Sequence, residues 1–218
     1  MGVTIFKNDF EINGGTLRIG LLGTGSTVNT LGIDSNGFVV SASTFPPTLN
    51  YGLFVQTGDS AVVSATTVET TIIDGGVGSL SVPVNGFNIG DSFKVAMGGI
   101  FSNANNETIR LRVKSGSVNL VDSGVQTLSA HANDIFKLEI TFTIRNIGGL
   151  GTASIMSFGA FQTIKKNSSN IAGFGFELNN NTTFDTTISN TLDITVEWGS
   201  NNANNSIKSQ TLVLNKIY

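Results

Sequence analysis

Ile135-Phe-Lys-Leu-Glu-Ile-Thr-Phe-Thr-Ile-Arg145 is the stretch whose reading decides the fold. Leu138, Ile140, Phe142 and Ile144 alternate with Lys137, Glu139, Thr141, Thr143 and Arg145. Successive side chains of a strand point to opposite faces, so the run has one apolar and one wet face. Three other stretches repeat the pattern. Phe93, Val95 and Met97 alternate with Lys94 and Ala96; Ile109, Leu111 and Val113 with Arg110, Arg112 and Lys114; Leu192, Ile194, Val196 and Trp198 with Asp193, Thr195 and Glu197. Strands apolar on a single face call for antiparallel sheets packed face to face around a shared core. The expectation is an all-β sandwich.

Working outward, strands are expected at about 53–57, 60–64, 68–73, 79–82, 92–101, 108–115, 117–122, 135–146, 152–165, 171–178, 184–188, 191–198 and 206–217. Turns are expected at Gly75-Gly76, Gly86, Gly90-Asp91, Asn103 to Asn106, Ser115-Gly116, Gly148-Gly149, Asn179 to Asn181 and Gly199 to Asn205. This spacing of short runs and turn residues suits a sandwich or barrel. No segment keeps a 3.6-residue period over ten positions, so helix content should be very small.

The first forty-odd residues read differently. Thr16-Leu-Arg-Ile-Gly-Leu-Leu22, the turn Gly23-Thr-Gly-Ser26, Val28 to Ile33, the turn Asp34-Ser-Asn-Gly37 and Phe38-Val-Val-Ser41 suggest hairpins or a meander. A two- or three-stranded piece is marginal alone in water, so its apolar side needs cover from the main domain or from other copies of the chain. Phe45-Pro-Pro-Thr-Leu-Asn50 reads as a junction, because consecutive prolines fix an extended backbone and cannot sit in a central strand. The expected division is a β-rich stem at 1–50 and a sandwich at 51–218; a loop within one larger domain is the alternative.

Composition narrows the function classes. Of 218 residues 39% are hydrophobic, enough for a core, and only 12% are charged. A net charge of −3 disfavours nucleic acid or an anionic membrane as partner, since both reward a basic face. With no cysteine there is no disulfide and no thiolate metal site. The start MGVTIFKNDFEING shows no basic segment before a long apolar run, so no secretory signal is expected, and no run approaches the length of a membrane helix. Phe6 stands where a myristoylation motif needs Ser or Thr. Sequons at Asn106, Asn167, Asn180, Asn181 and Asn204 are read as chance matches in an Asn-, Ser- and Thr-rich chain.

Candidate chemistry is sparse. His131, the single histidine, is the one possible centre of a Ser-His-Asp set; in Leu128-Ser-Ala-His-Ala-Asn-Asp134 it reads as a solvated loop residue. One histidine leaves too few ligands for zinc. Asp193 and Glu197 share a strand face, but at i and i+4 they stand roughly 13 Å apart, too far for paired-carboxylate hydrolysis. Asp34-Ser-Asn-Gly37 lacks the remainder of a calcium loop, and Gly23-Thr-Gly25 lacks the Lys and helix of a phosphate loop. Gly173-Phe-Gly-Phe-Glu177 has no basic companions for base stacking and reads as core or edge packing; Trp198 reads as core. No catalytic residue, metal ligand or cofactor is assigned.

Leu17-Arg-Ile-Gly-Leu-Leu-Gly-Thr-Gly-Ser-Thr-Val-Asn-Thr-Leu-Gly-Ile-Asp-Ser-Asn-Gly-Phe-Val-Val40 resembles the stem segments of viral and phage fibre proteins, in which LGxDxxGxVV units precede a head. Glu69 to Gly76, Gly78-Ser-Leu-Ser-Val-Pro83, Asn88-Ile-Gly-Asp-Ser-Phe-Lys94, Leu192 to Gly199 and Asn204 to Leu214 are similar to the head domain of such proteins. The resemblance implies a jelly-roll antiparallel sandwich on a short β-meander stem, assembled as a homotrimer and displayed on the virion surface. It also implies a non-catalytic head that attaches to a host receptor, glycan included, and contacts other virion proteins. Loops on a rigid β scaffold are the usual site of recognition, so the amide-rich turns are the candidate receptor contacts: Asn103, Asn105, Asn106, Asn179, Asn180, Asn181, Asn201, Asn202, Asn204 and Asn205. An architectural decoration protein, a non-viral carbohydrate-binding module and a depolymerase are the alternatives.

Overall fold

A computed structural model describes residues 30–33, 39–42, 52–166 and 168–218. Contacts divide the chain into two units, Met1–Thr48 and Leu49–Tyr218. In the first, β1 (Thr30–Ile33) pairs antiparallel with β2 (Val39–Ala42), Ile33 opposite Val39. The expected run at 16–22, the turns at 23–26 and 34–37 and the Pro-Pro junction lie outside the described residues.

The second unit is all-β, and no helix occurs among the described residues. Five short strands come first: β3 (Phe54–Gln56), β4 (Val63–Ser64), β5 (Thr70–Thr71), β6 (Gly76–Gly78) and β7 (Ser81–Val82). Eight long ones follow: β8 (Ser92–Asn103), β9 (Glu107–Ser115), β10 (Val118–Leu128), β11 (His131–Asn146), β12 (Ser154–Ile164), β13 (Ile171–Asn180), β14 (Asn190–Trp198) and β15 (Ser206–Lys216). The larger sheet runs β13-β12-β11-β8-β15-β3-β6, with β4 on β15; the smaller runs β10-β9-β14-β5, with β7 on β14. Every pairing is antiparallel.

The alternation that defined the opening stretch is the burial pattern of β11. Phe136, Leu138, Ile140, Phe142 and Ile144 are buried, while Lys137 and Glu139 are exposed. In register with them lie Val95 and Met97 of β8 and Phe161 of β12. The smaller sheet supplies Ile109, Leu111 and Val113 from β9 and Ile194, Val196 and Trp198 from β14, and one continuous buried cluster joins both sheets. Trp198 meets Phe101 of the opposite sheet at 5.5 Å between ring centroids, which places the indole in the core as its strand face demands. Phe174 stacks on Phe161 at 5.2 Å, so the Gly173–Glu177 aromatics serve packing.

Five expectations need correction. Asn179 and Asn180 do not sit in a turn: they end β13, opposite Met156 and Ile155. Residues 184–188 form no strand, although Phe184 and Thr186 are buried at strand-like spacing. There Asn180 Oδ1 accepts from the backbone N–H groups of Thr182, Thr183 and Phe184, and Asp185 from that of Thr187, so side chains satisfy donors a ladder would have used. Gly76 is not in a turn: it begins β6, and a Cβ there would strike the Val55 carbonyl, so glycine permits the close strand approach. β10 continues to Leu128 through an irregularity at Asp122–Val125, where Gly124 adopts φ of 62°. His131 opens β11 and is buried, because both ring nitrogens find partners inside the fold.

Candidate functional site

The antiparallel order sorts the connections to two ends of the sandwich. β8 finishes where β9 starts, and β14 finishes where β15 starts, so Asn103–Asn106 and Gly199–Asn205 meet at one end. Ala104 N donates to Asn205 Oδ1 at 3.2 Å, and Ser200 Oγ donates to Glu107 Oε2 at 2.6 Å. β13 ends instead beside the start of β12, Asn180 opposite Ile155, which carries Asn179–Asn181 to the far end. The structure therefore unites two of the three predicted loops and separates the third.

Within the united pair the asparagines do two jobs. Asn205 is 0% exposed; its side chain takes the Ala104 N–H while its carbonyl takes that of Ala65. Asn103 is buried and donates to the carbonyls of Ala104 and Ser129. Asn180, also buried, caps the 182–184 turn. These three fasten loops and are not surface contacts, which corrects their reading as receptor contacts. Asn105, Asn106, Asn201 and Asn204 are exposed together at the asparagine end, with Asn202 half-buried beside them. Asn179 and Asn181 are exposed at the other end. Asn106 adopts φ of 59°, the left-handed conformation asparagine tolerates best among residues with a side chain.

Carboxylates brace this end. Burial alone would raise the Glu107 carboxyl; hydrogen bonds from Ser200, Asn205 and the Thr108 N–H outweigh it and hold the group below its usual range. Asp134 behaves alike: burial opposes ionisation, and the Lys166 N–H and His131 more than offset it. Asp134 Oδ2 lies 2.9 Å from His131 Nδ1, and His131 Nε2 lies 3.0 Å from Thr163 Oγ1. The order Asp–His–Thr is that of a nucleophile relay. Thr163, however, is 0% exposed, so its hydroxyl meets no substrate, and the relay instead ties β11 to the β12–β13 hairpin. Sequence reading missed it because Thr163 stands 32 positions from His131.

The outer face of the smaller sheet holds a second polar array. Arg112 pairs with Glu69 at 2.9 Å and Glu197 at 2.7 Å, Lys114 with Glu69 at 3.0 Å, and Arg110 with Asp122. Asp193 accepts from Thr71 Oγ1 at 2.6 Å. Asp193 and Glu197 are thus each engaged by a different partner and do not converge. Among the described residues no group of three or more His, Asp or Glu side chains gathers to hold a metal ion.

The opposite end, the apolar end, mixes exposed amides such as Asn85, Asn88, Asn179 and Asn181 with many exposed hydrophobic side chains. Of fifteen exposed large hydrophobic residues among the described ones, seven sit here, on connections that are hydrogen-bonded to one another. Val84 and Ile89 lie between β7 and β8, Ile147 and Leu150 between β11 and β12, Ile188 before β14, and Ile217 and Tyr218 after β15. Bonds from Asn85 N to Thr186 O, Thr186 N to Gly148 O and Ile217 N to Ser92 O join these connections. Gly52 lies at this end too, beside Asn215.

Between the sheets at the apolar end is a cavity of about 280 Å³, walled by Leu53, Phe87, Phe93, Leu120, Phe142, Ile155, Phe184, Leu192 and Leu214. Ser79, Ser81, Pro83 and Gly86 at its margin are exposed, so it opens to solvent there. No protein-family model matches the chain and no curated protein matches it.

Proposed function

We propose that the protein is a non-catalytic virion surface protein, a fibre or spike head of jelly-roll type that attaches to a host surface receptor such as a glycan and works as a homotrimer. The observation that carries this reading is the meeting of two asparagine-rich loops at the end of the sandwich away from Gly52, where Asn105, Asn106, Asn201 and Asn204 are presented on a hydrogen-bonded platform. Amide groups donate and accept at once, as sugar hydroxyls require. A rigid scaffold beneath them lowers the ordering cost of binding. Modest single-site affinity is multiplied when copies engage together.

The test is binding of the full chain to a glycan array and to host cells, with light scattering for assembly. Asn105→Ala combined with Asn201→Ala should weaken binding by about tenfold or more, one to two hydrogen bonds' worth, at unchanged melting temperature. Asn181→Ala, at the other end, should leave binding alone. Equal loss from both ends, or a monomer in solution, would end this reading. A second reading, an architectural protein that packs against other virion proteins, draws on the seven apolar residues exposed at the end opposite the asparagines. It predicts no glycan binding and capture onto particles that fails when that end is made polar.

A further inference from the structure

We infer that the cavity between the sheets is a binding site for the hydrocarbon chain of an amphiphile. Its volume of about 280 Å³ sits near the lower limit of small-molecule sites, roughly 300–1,000 Å³, so it takes one short chain and no bulky ring system. Leu120, Phe142, Phe184, Leu192 and Leu214 present carbon to it from both sheets.

The polar side chains on the wall are bonded to protein groups. Asp91 pairs with Lys216 at 2.6 Å and accepts the Asn88 N–H. Ser115 Oγ donates to Asn190 Oδ1, while Asn190 Nδ2 donates to the carbonyls of Asp185 and Ile188. Ser79 Oγ donates to the Ser81 carbonyl, and Ser81 Oγ is bonded to Thr191. An ordered water needs two to four polar partners, and the carbon that makes up most of the wall supplies none. Water is therefore a poor occupant and an alkyl chain a good one, its polar head lying at the mouth between Ser81, Pro83 and Gly86. Because Lys216 is matched by Asp91, the mouth selects neither a charged nor a neutral head.

The test titrates the full chain with 1-octanol and with decanoate, glycerol serving as control, and reads methyl NMR shifts and melting temperature. Both amphiphiles should give saturable shifts at Leu120, Leu192 and Leu214 with affinities within about tenfold of each other, and glycerol none. Leu192→Phe and Val82→Phe fill the space from β14 and from the mouth. Each should weaken octanol binding by at least about tenfold while leaving the melting temperature level or higher, since filling a true void adds contacts without crowding. Co-flotation with phosphatidylcholine vesicles, reduced by the same substitutions, assigns the chain to a membrane lipid; decanoate binding without flotation assigns a free amphiphile. No saturable response to either probe overturns the inference, whether or not a filled variant folds. So do filled variants that melt lower and bind as before. Glycan binding and assembly are read in separate experiments, so this site and the attachment reading stand or fall apart.

Discussion

One end of this sandwich is closed by loops such as Ser102-Asn-Ala-Asn-Asn-Glu107 and Gly199-Ser-Asn-Asn-Ala-Asn-Asn205, the other by Pro83-Val-Asn-Gly-Phe-Asn-Ile89, Ile147-Gly-Gly-Leu150 and Lys216-Ile-Tyr218. Both ends must satisfy the backbone groups that the sheets leave unpaired, and they differ in what they then show to solvent. At the asparagine end buried amides supply the bonds, with Asn205 and Asn103 acting as internal splints. At the apolar end buried Asn180 and Asn190 do the same for the 182–190 connection, backbone bonds join the connections to one another, and aliphatic side chains project outward, Leu150 at 67% and Tyr218 at 82% exposure. The difference teaches that exposure to water does not by itself fix what a loop is made of. An asparagine-rich surface is suited to staying wet, whereas seven exposed large hydrophobic residues at one end make contact with something other than water the reading to test.

Removing one interior support from each end gives the largest contrast. Phe184 is buried, its ring centroid 5.9 Å from that of Phe87 on the cavity wall. Phe184→Ala should cost about 3–5 kcal/mol, the range for truncating a buried aromatic ring. Asn205→Ala leaves the Ala104 N–H without its acceptor and should cost about 1–3 kcal/mol. Urea unfolding at pH 7 compares them. If the asparagine substitution proved the more costly, the splints rather than the packed rings would carry the ends.

Acid sharpens the same contrast. Glu107 and Asp134, both at the asparagine end, are held below their usual range by hydrogen bonds that outweigh burial. A carboxyl with a depressed folded-state pKa stabilises fully above its unfolded value, about 4, and that contribution disappears as pH falls through the folded value. The melting temperature should therefore stay level from pH 7 to about 5 and fall below about pH 4. Glu107→Gln should shrink the fall, as measured by calorimetry across that range. The asparagine-end amides should lose hydrogen-exchange protection before those of the apolar end.

How much of this was readable beforehand follows from the range of the interactions. Alternation in 135–145 fixes which side of β11 is buried, since side-chain direction is set one residue at a time, and Trp198 was placed in the core on the same ground. Residues 184–188 misled for the converse reason: Phe184 and Thr186 alternate with polar neighbours, yet Asn180 had already taken the donors a strand needs. Residues 199–205 and 104–106 are legible as connections, whereas Asn103 ends β8 and Asn179 and Asn180 end β13. That Asn105 is exposed while Asn103 is buried was not legible, because the separation depends on Ser129, 26 positions away. His131 likewise looked solvated because both its partners depend on the fold: Thr163 is distant in sequence, and Asp134 reaches it only across the irregular start of β11.

The smallest effect on stability is expected where the effect on behaviour is largest. Leu150 and Ile188 are exposed on connections of the apolar end, so Leu150→Asn with Ile188→Asn removes little buried area and should change unfolding free energy by no more than about 0.5 kcal/mol for each site. If this end rests against protein in an assembled particle, the same pair of substitutions should abolish that contact, because each amide would have to surrender its water without finding a partner. Light scattering of the full chain, before and after substitution, separates the cases. A particle that becomes smaller at unchanged melting temperature identifies the apolar end as a contact surface between copies. A particle of unchanged size that no longer attaches to other proteins identifies it as a contact with those instead. Unchanged size together with unchanged attachment would show that the seven exposed hydrophobic residues face solvent in the working molecule, and the contrast between the two ends would then be one of composition alone.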